Sequence, residues 1–246
     1  MIEELLPAAV SVCESFEDTA APVLFPEEER LVTDAIPCRR LEFGTVRMCA
    51  RTALARIGVP SAPLLRGPGG APTWPSGVVG SMTHCAGYRA AAVAHGRYVR
   101  TIGLDAEPNK PLPDGVLELV TIPSERAWLP SATARRPDVA WDRLVFSAKE
   151  SVYKAWFPVT GHPLEFEDAE VRVNIDAGTF TAKLLIPAPT IGESRLRKFE
   201  GRWLARDGLL ATATAVLGSA EPRSGHLAGR GHSVLHRQGW GRRAHA

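Results

Sequence analysis

The segment GLDAEPN, residues 103–109, sets two carboxylates, Asp105 and Glu107, at alternate positions of a largely apolar stretch. Alternate residues of a β-strand share a face. Both acids then point one way, while Ile102 and Leu104 point the other way, toward a core. Neighbouring carboxylates repel unless a cation holds them, and closely spaced oxygen ligands suit Mg2+, which takes carboxylates together with substrate phosphates. The bland alternative is a strand end with two solvated acids, helped by Pro108.

A second stretch, FSAKESVYKAW at residues 146–156, belongs to a helix expected from about 138 to 157. Trp141, Leu144, Val145, Ala148, Val152 and Trp156 form its apolar stripe, and Pro158 is expected to end it. Lys149, Glu150, Tyr153, Lys154 and Phe157 form a polar and aromatic stripe opposite. Glu150 and Lys154, four apart, have the spacing of an ordinary helical salt bridge. They also fit a site: Glu150 as a third carboxylate, Lys154 beside a phosphate, and Tyr153 lining a slot for an apolar chain.

Upstream, residues 39–57 read as another helix, with Phe43, Val46, Ala50, Leu54 and Ile57 on one face and Gly58 at its end. Arg40, Arg47 and Arg51 share another face, and Arg39 stands at the start. Such a stripe is either solvated or half of an anion site, because the guanidinium fork matches phosphate. Residues 60–77, rich in Pro and Gly, form a loop that carries Arg66, and strand 77–84 ends in Thr83 and His84. Together these parts suit a ligand with several phosphates and metal-assisted phosphoryl transfer. No GxxxxGK[ST], GxGxxG or GxSxG is present, which argues against P-loop, Rossmann and serine-hydrolase chemistry.

The remaining pattern is α+β. Strands are expected at 8–16, 77–84, 87–94, 98–106, 167–175 and 179–186, and in a hairpin at 201–216 turning at Asp207-Gly208. Helices are expected at 26–36, 115–121 and 123–129. Helix followed by strands occurs on both sides of residue 100. This implies an N-terminal half over 1–101, a C-terminal half over 102–218 and a disordered basic tail over 219–246. The tail holds five Arg and one Glu. Of 29 basic and 27 acidic residues, the rest of the chain therefore keeps 24 and 26. A near-neutral body does not have the charge of a nucleic-acid binder. The four cysteines lack metal or CxxC spacing and read as small buried hydrophobes. No apolar run reaches the ~20 residues of a membrane span, and the acidic start lacks a secretory signal's basic residues. The expectation is a cytoplasmic protein.

The blocks GLDAE at 103–107 and FSAKESVYK at 146–154, with RRLEFGTVRMCAR at 39–51 and WPSGVVGSMTHCAGYRA at 74–90, resemble the monomeric 4′-phosphopantetheinyl transferases of siderophore, polyketide and nonribosomal peptide synthesis, near the enterobactin-type and actinobacterial members. The likeness runs from about residue 8 to 216. It implies two similar α+β halves related by a pseudo-twofold axis, with coenzyme A in the cleft between them. It implies Mg2+ or Mn2+ on Asp105, Glu107 and Glu150, with Glu150 also as general base. Lys154 would meet the diphosphate. Arg39, Arg47 and His84 would hold the 3′-phosphate with Thr83 nearby, Arg66 would lie near the nucleotide and Tyr153 near the pantetheine arm. The implied reaction moves phosphopantetheine from coenzyme A to a serine of an apo acyl or peptidyl carrier protein, releasing 3′,5′-ADP. The alternatives are a coenzyme A phosphohydrolase and a non-catalytic carrier-protein binding module.

Overall fold

The computed structural model describes residues 1–191 and 194–218, and the expected tail at 219–246 lies outside the described residues. The chain begins with β1 (Ser11–Ser15), α1 (Pro26–Glu29), the long α2 (Pro37–Arg56) and the hairpin β2 (Val78–Cys85) and β3 (Tyr88–His95). β4 (Val99–Pro108), α3 (Leu117–Val120), α4 (Pro123–Arg135) and the long α5 (Trp141–Thr160) follow. β5 (Ala169–Asn174) and β6 (Thr179–Leu184), the short β7 (Thr190–Ile191) and β8 (Ser194–Arg195), and the hairpin β9 (Lys198–Arg206) and β10 (Leu209–Leu217) complete it.

Two larger antiparallel sheets result, ordered β1-β3-β2 and β4-β10-β9-β6-β5, beside the two-stranded pair β7-β8. In each, a strand leads through a long helix to a hairpin whose second strand inserts beside the first. The order β4-β10-β9 thus repeats β1-β3-β2, with β5 and β6 added at the far edge. The expected division at 101/102 falls inside β4, three residues after its start at Val99.

A second repetition lies in two fully buried glutamates. Glu28 accepts the Phe25 amide at the start of α1 (3.0 Å), the Leu64 amide (2.9 Å) and the Arg51 guanidinium of α2 (2.9 Å). Glu125 accepts the Ile122 amide at the start of α4 (2.9 Å), the Val171 amide (2.7 Å) and the Lys149 ammonium of α5 (2.7 Å). Each acid satisfies a helix-start amide, a distant backbone amide and a cation of the long helix, which is how a buried charge is tolerated.

Gly103 explains the close approach of α5 to β4. A Cβ there would lie 1.7 Å from the Ser151 carbonyl oxygen and 2.8 Å from the Ala155 nitrogen. Two residues earlier on the same face, Thr101 donates its hydroxyl to the Ala155 carbonyl (2.7 Å). The face carrying Thr101, Gly103, Asp105 and Glu107 thus looks toward α5. Ile102, Leu104 and Ala106 join Val12, Ala90, Ala92, Ala211 and Ala213 in the core between the two sheets. A second core under α5 holds Val145, Ala148, Val152, Phe180 and Trp203, and a third under α2 holds Ala50, Ala53 and Leu54.

Several expectations are corrected. Pro130 lies inside α4 and Pro158 inside α5. Each gives up one ladder bond without ending its helix, and α5 ends instead at Gly161 in the left-handed region (φ 68°). The helix expected over 26–36 is α-helical only to Glu29 and then tightens into a 3-10 turn over Arg30–Val32. The Thr33 hydroxyl donates back to the Glu29 and Arg30 carbonyls there. Of the cysteines, only Cys49 is fully buried, and Cys38 is exposed at the start of α2.

Candidate active site

A cavity of about 270 Å3 opens between α2 and α5, over the place where β2 meets β4. Arg39, Arg47, Arg66 and His84 line it from the N-terminal part, and Glu150, Tyr153 and Lys154 from α5. Seven of the expected site residues therefore converge from four separate segments.

The arginine stripe of α2 divides. Arg40 pairs with Glu29 and Arg51 with Glu28, so both are taken up by structure. Arg47 is nearly buried; it donates to the Leu64 carbonyl (3.1 Å), lies 3.7 Å from Glu28 and sets its guanidinium over the Phe43 ring, 3.2 Å from the centroid. Burial lowers its pKa to about 10, with Glu28 opposing and Arg66 adding to the shift. A guanidinium stripped of water beside other cations is a strong anion receptor. Arg39 contacts His84 Nε2 (2.8 Å) and donates to Glu42 (3.2 Å), and Glu42 also accepts from Arg89 (3.3 Å). Burial and then the Arg39 charge push the His84 pKa down, with Glu42 opposing.

The opposite wall comes from the loop at Gly69 and Gly70. Gly69 (φ 62°) sits on the Phe157 ring so closely that a Cβ would meet it at 2.3 Å. Phe157 stacks in turn on Tyr153, with ring centroids 5.8 Å apart. The wall is flat and apolar, of the kind that takes a planar ring or an alkyl chain.

The carboxylates lie at the α5 edge and below. Asp105 is 4% exposed, and its Oδ1 accepts from Lys154 Nζ (2.6 Å) and from the Thr83 hydroxyl (3.4 Å). Its Oδ2 is buried without a hydrogen-bond partner. Glu107 accepts from Arg143 (3.1 Å). Burial and then Asp105 raise the Glu107 pKa, opposed by Arg143 and Lys154. Burial raises that of Glu150 too, with Lys154 pulling it back and Asp105 pushing it further up. Asp105 is thus the acid that the other two share as a neighbour. Among the described residues no three His, Cys, Asp or Glu side chains form a metal cage; Lys154 holds Asp105 and Arg143 holds Glu107 instead. The orphaned Asp105 oxygen and the all-oxygen donor set fit a hard divalent cation.

Three side chains take partners that spacing along the chain did not show. Lys154 reaches Asp105 and not Glu150. Lys149 is turned away from the cavity into its buried pair with Glu125, and also donates to the Phe166 carbonyl (2.6 Å). Thr83 is buried below the cavity and bonded to β4. Arg143 was not among the expected residues, although it lies seven positions before Glu150, two turns along one helix face. Glu42, three after Arg39, had the same kind of signal.

Two family models match the chain. One, described as the 4′-phosphopantetheinyl transferase N-terminal domain, covers residues 27–94, and the 4′-phosphopantetheinyl transferase superfamily model covers residues 101–206. The 4′-phosphopantetheinyl transferase Svp of Streptomyces mobaraensis is 57% identical over 89% of this chain and 91% of its own. The 4′-phosphopantetheinyl transferase PptT of Mycobacterium tuberculosis is 43% identical over 88% and 98%. Enterobactin synthase component D of Salmonella typhimurium is 31% identical over 73% of each chain. With one cavity joining a basic corner to a carboxylate edge, these likenesses place the chain in the 4′-phosphopantetheinyl transferase family, as a transferase that draws on coenzyme A to modify carrier proteins.

Proposed function

We propose that the chain transfers 4′-phosphopantetheine from coenzyme A to the serine of an apo carrier protein with Glu150 as general base and Mg2+ or Mn2+ held by Asp105, Glu107 and Glu150. The observation that carries this reading is the single cavity that sets Arg39, Arg47, Arg66 and His84 opposite Glu150 and Lys154. A ligand with a phosphate at one end and a diphosphate further along would meet the arginines with the first and Lys154 with the second.

In this reading Arg39, Arg47 and His84 hold the 3′-phosphate, and Arg66 with the Gly69–Gly70 loop covers the nucleotide. Tyr153 lines the path of the pantetheine arm. Lys154 balances charge on the diphosphate. A serine hydroxyl is a weak nucleophile at neutral pH. Glu150 takes its proton as the oxygen bonds to the phosphorus that carries pantetheine; the diphosphate P–O bond breaks and 3′,5′-ADP leaves. A base works best with a pKa nearer the working pH, and burial moves Glu150 in that direction. A bound divalent ion supplies polarisation of the diphosphate oxygens.

We read an N-terminal half over 1–101 and a C-terminal half over 102–218; the repeated strand order supports two halves, with this boundary inside β4. We read the active unit as a cytoplasmic monomer. No described helix is long and apolar enough to cross a membrane. The relative named for enterobactin synthase supports a siderophore carrier among the substrates.

Intact-mass spectrometry of an apo carrier protein mixed with the chain, coenzyme A and Mg2+ tests the reading. It predicts a gain of one phosphopantetheine arm that EDTA abolishes. Free 3′,5′-ADP with an unmodified carrier identifies a hydrolase instead, and coenzyme A binding without either product identifies a binding module.

A further inference from the structure

The basic corner of the cavity is braced from behind. Arg89 of β3 is buried and lines no part of the cavity. Its Nε and Nη2 donate to the two Asp18 carboxylate oxygens (2.8 Å each). Its Nη1 donates to the Cys85 and Tyr88 carbonyls at the β2–β3 turn, and its Nη2 also to Glu42 Oε1 (3.3 Å). A guanidinium has five N–H donors, and these contacts use all five. Arg89 is a fixed post with no donor left for a ligand.

Glu42 of α2 joins this post to the cavity wall. Its Oε1 accepts from Arg89 and its Oε2 from Arg39 Nη1 (3.2 Å). The same Nη1 meets His84 Nε2 (2.8 Å), which must accept, because arginine only donates. Among the described residues, Nε and Nη2 of Arg39 have no hydrogen-bond partner. That is the edge with which Arg89 grips Asp18, the fork that takes a carboxylate or phosphate by two bonds. The Arg39 side chain is long and 39% exposed. Unheld, it would sample many rotamers, and a ligand would have to supply the free energy of ordering it.

We infer that Glu42 is a positioning residue that sets coenzyme specificity: it holds Arg39 against the Arg89 post, so that the open edge of the guanidinium meets the 3′-phosphate. This deepens the transfer reading and rests on it for the identity of the anion. A carboxylate near an anion site also repels the anion. Here Arg89 and Arg39 flank that carboxylate, so the repulsion is largely cancelled and the hold on Arg39 prevails.

Titration calorimetry in EDTA on the wild type, Glu42→Gln, Arg39→Ala and the double variant tests this, with coenzyme A and 3′-dephospho-coenzyme A as ligands. Carrier-modification kinetics give kcat and KM. Glu42→Gln can accept from one arginine but turns its amide donors toward the other. The inference expects it to weaken coenzyme A by about fivefold or more and the dephospho form by less than about twofold. The KM for coenzyme A should rise while kcat stays within about twofold, as for a contact remote from the reacting phosphorus. In the Arg39→Ala background the same substitution should change coenzyme A affinity by less than about twofold, because Glu42 acts through Arg39. If the glutamine variant does not fold, Glu42→Asp, which keeps the charge but is one methylene shorter, should show the same selective loss. Tighter coenzyme A binding by Glu42→Gln would overturn the inference in favour of a repelling charge. An unchanged preference for coenzyme A beside a lower melting temperature would overturn it in favour of a structural brace. An equal loss with and without Arg39 would overturn it too. A wild type with no preference for coenzyme A over its dephospho form would overturn the 3′-phosphate reading itself, whereas a preference that survives Glu42→Gln overturns the inference alone.

Discussion

Replacing Gly103 with alanine adds one methyl group where β4 meets α5. The new Cβ would fall 1.7 Å from the Ser151 carbonyl oxygen. A carbon–oxygen contact runs at about 3.3 Å, so strand and helix must separate by roughly 1.6 Å. The opposing atoms are backbone and cannot rotate away. The Asp105–Lys154 bond, 2.6 Å in the native chain, spans the same gap two residues along and would stretch beyond hydrogen-bonding range. Overpacking of this kind costs about 1–3 kcal/mol, occasionally more. In a chain of this size each kcal/mol lowers the melting temperature by about 2–4 °C, so a fall of roughly 2–12 °C is expected. A displacement of about 1 Å at a reacting group costs on the order of 100-fold in rate. Melting followed by circular dichroism and carrier modification followed by intact mass read both effects. A Gly103→Ala protein that melts with the wild type and modifies carrier at an unchanged rate would refute the packing argument.

Other perturbations separate structure from chemistry. Lys149→Met should lower stability by about 3–5 kcal/mol, because Glu125 is left buried and unpaired, while coenzyme A affinity per folded molecule stays unchanged; denaturant melts and calorimetry check both. Arg47→Ala should weaken coenzyme A by about tenfold or more, near 1.4 kcal/mol, and 3′-dephospho-coenzyme A by less; equal weakening would remove Arg47 from the 3′-phosphate. Glu150→Gln should stabilise the metal-free fold at neutral pH. Burial raises the Glu150 pKa, so its stabilising contribution is full below the unfolded value of about 4.3 and is lost as pH rises through the folded value. The variant escapes that loss, and the two melting curves measured in EDTA should converge near pH 4.

The strand at 99–108 was legible because its alternation has only two outcomes, and Ile102 and Leu104 do face a core. The apolar stripes of the two long helices were legible for a similar reason. The charged residues of the cavity could be named because several cations, a Gly- and Pro-rich loop and the acids pointed to one ligand class. The partner of each buried ion was not legible. Glu28 finds Arg51, Glu125 finds Lys149 and Thr83 finds Ala106 across 23 or 24 residues of chain, and spacing along one element carries no trace of such pairs. Lys149 and Glu150 adjoin in sequence, yet one enters a structural pair and the other a cavity wall, since neighbours on a helix point about 100° apart. The prolines misled for a different reason. A single missing donor is a small loss in a helix held by packing, so Pro130 and Pro158 did not stop theirs.

The central claim is that Glu150 takes the proton from the carrier serine. Its most direct test is intact-mass kinetics of Glu150→Gln on an apo carrier, with coenzyme A affinity measured on the same preparation. Loss of a general base costs about 10²–10⁴-fold. The account predicts a fall of that size in modification rate, with coenzyme A binding kept within roughly threefold, under 1 kcal/mol. A folded Glu150→Gln protein that modifies the carrier at the wild-type rate would contradict it.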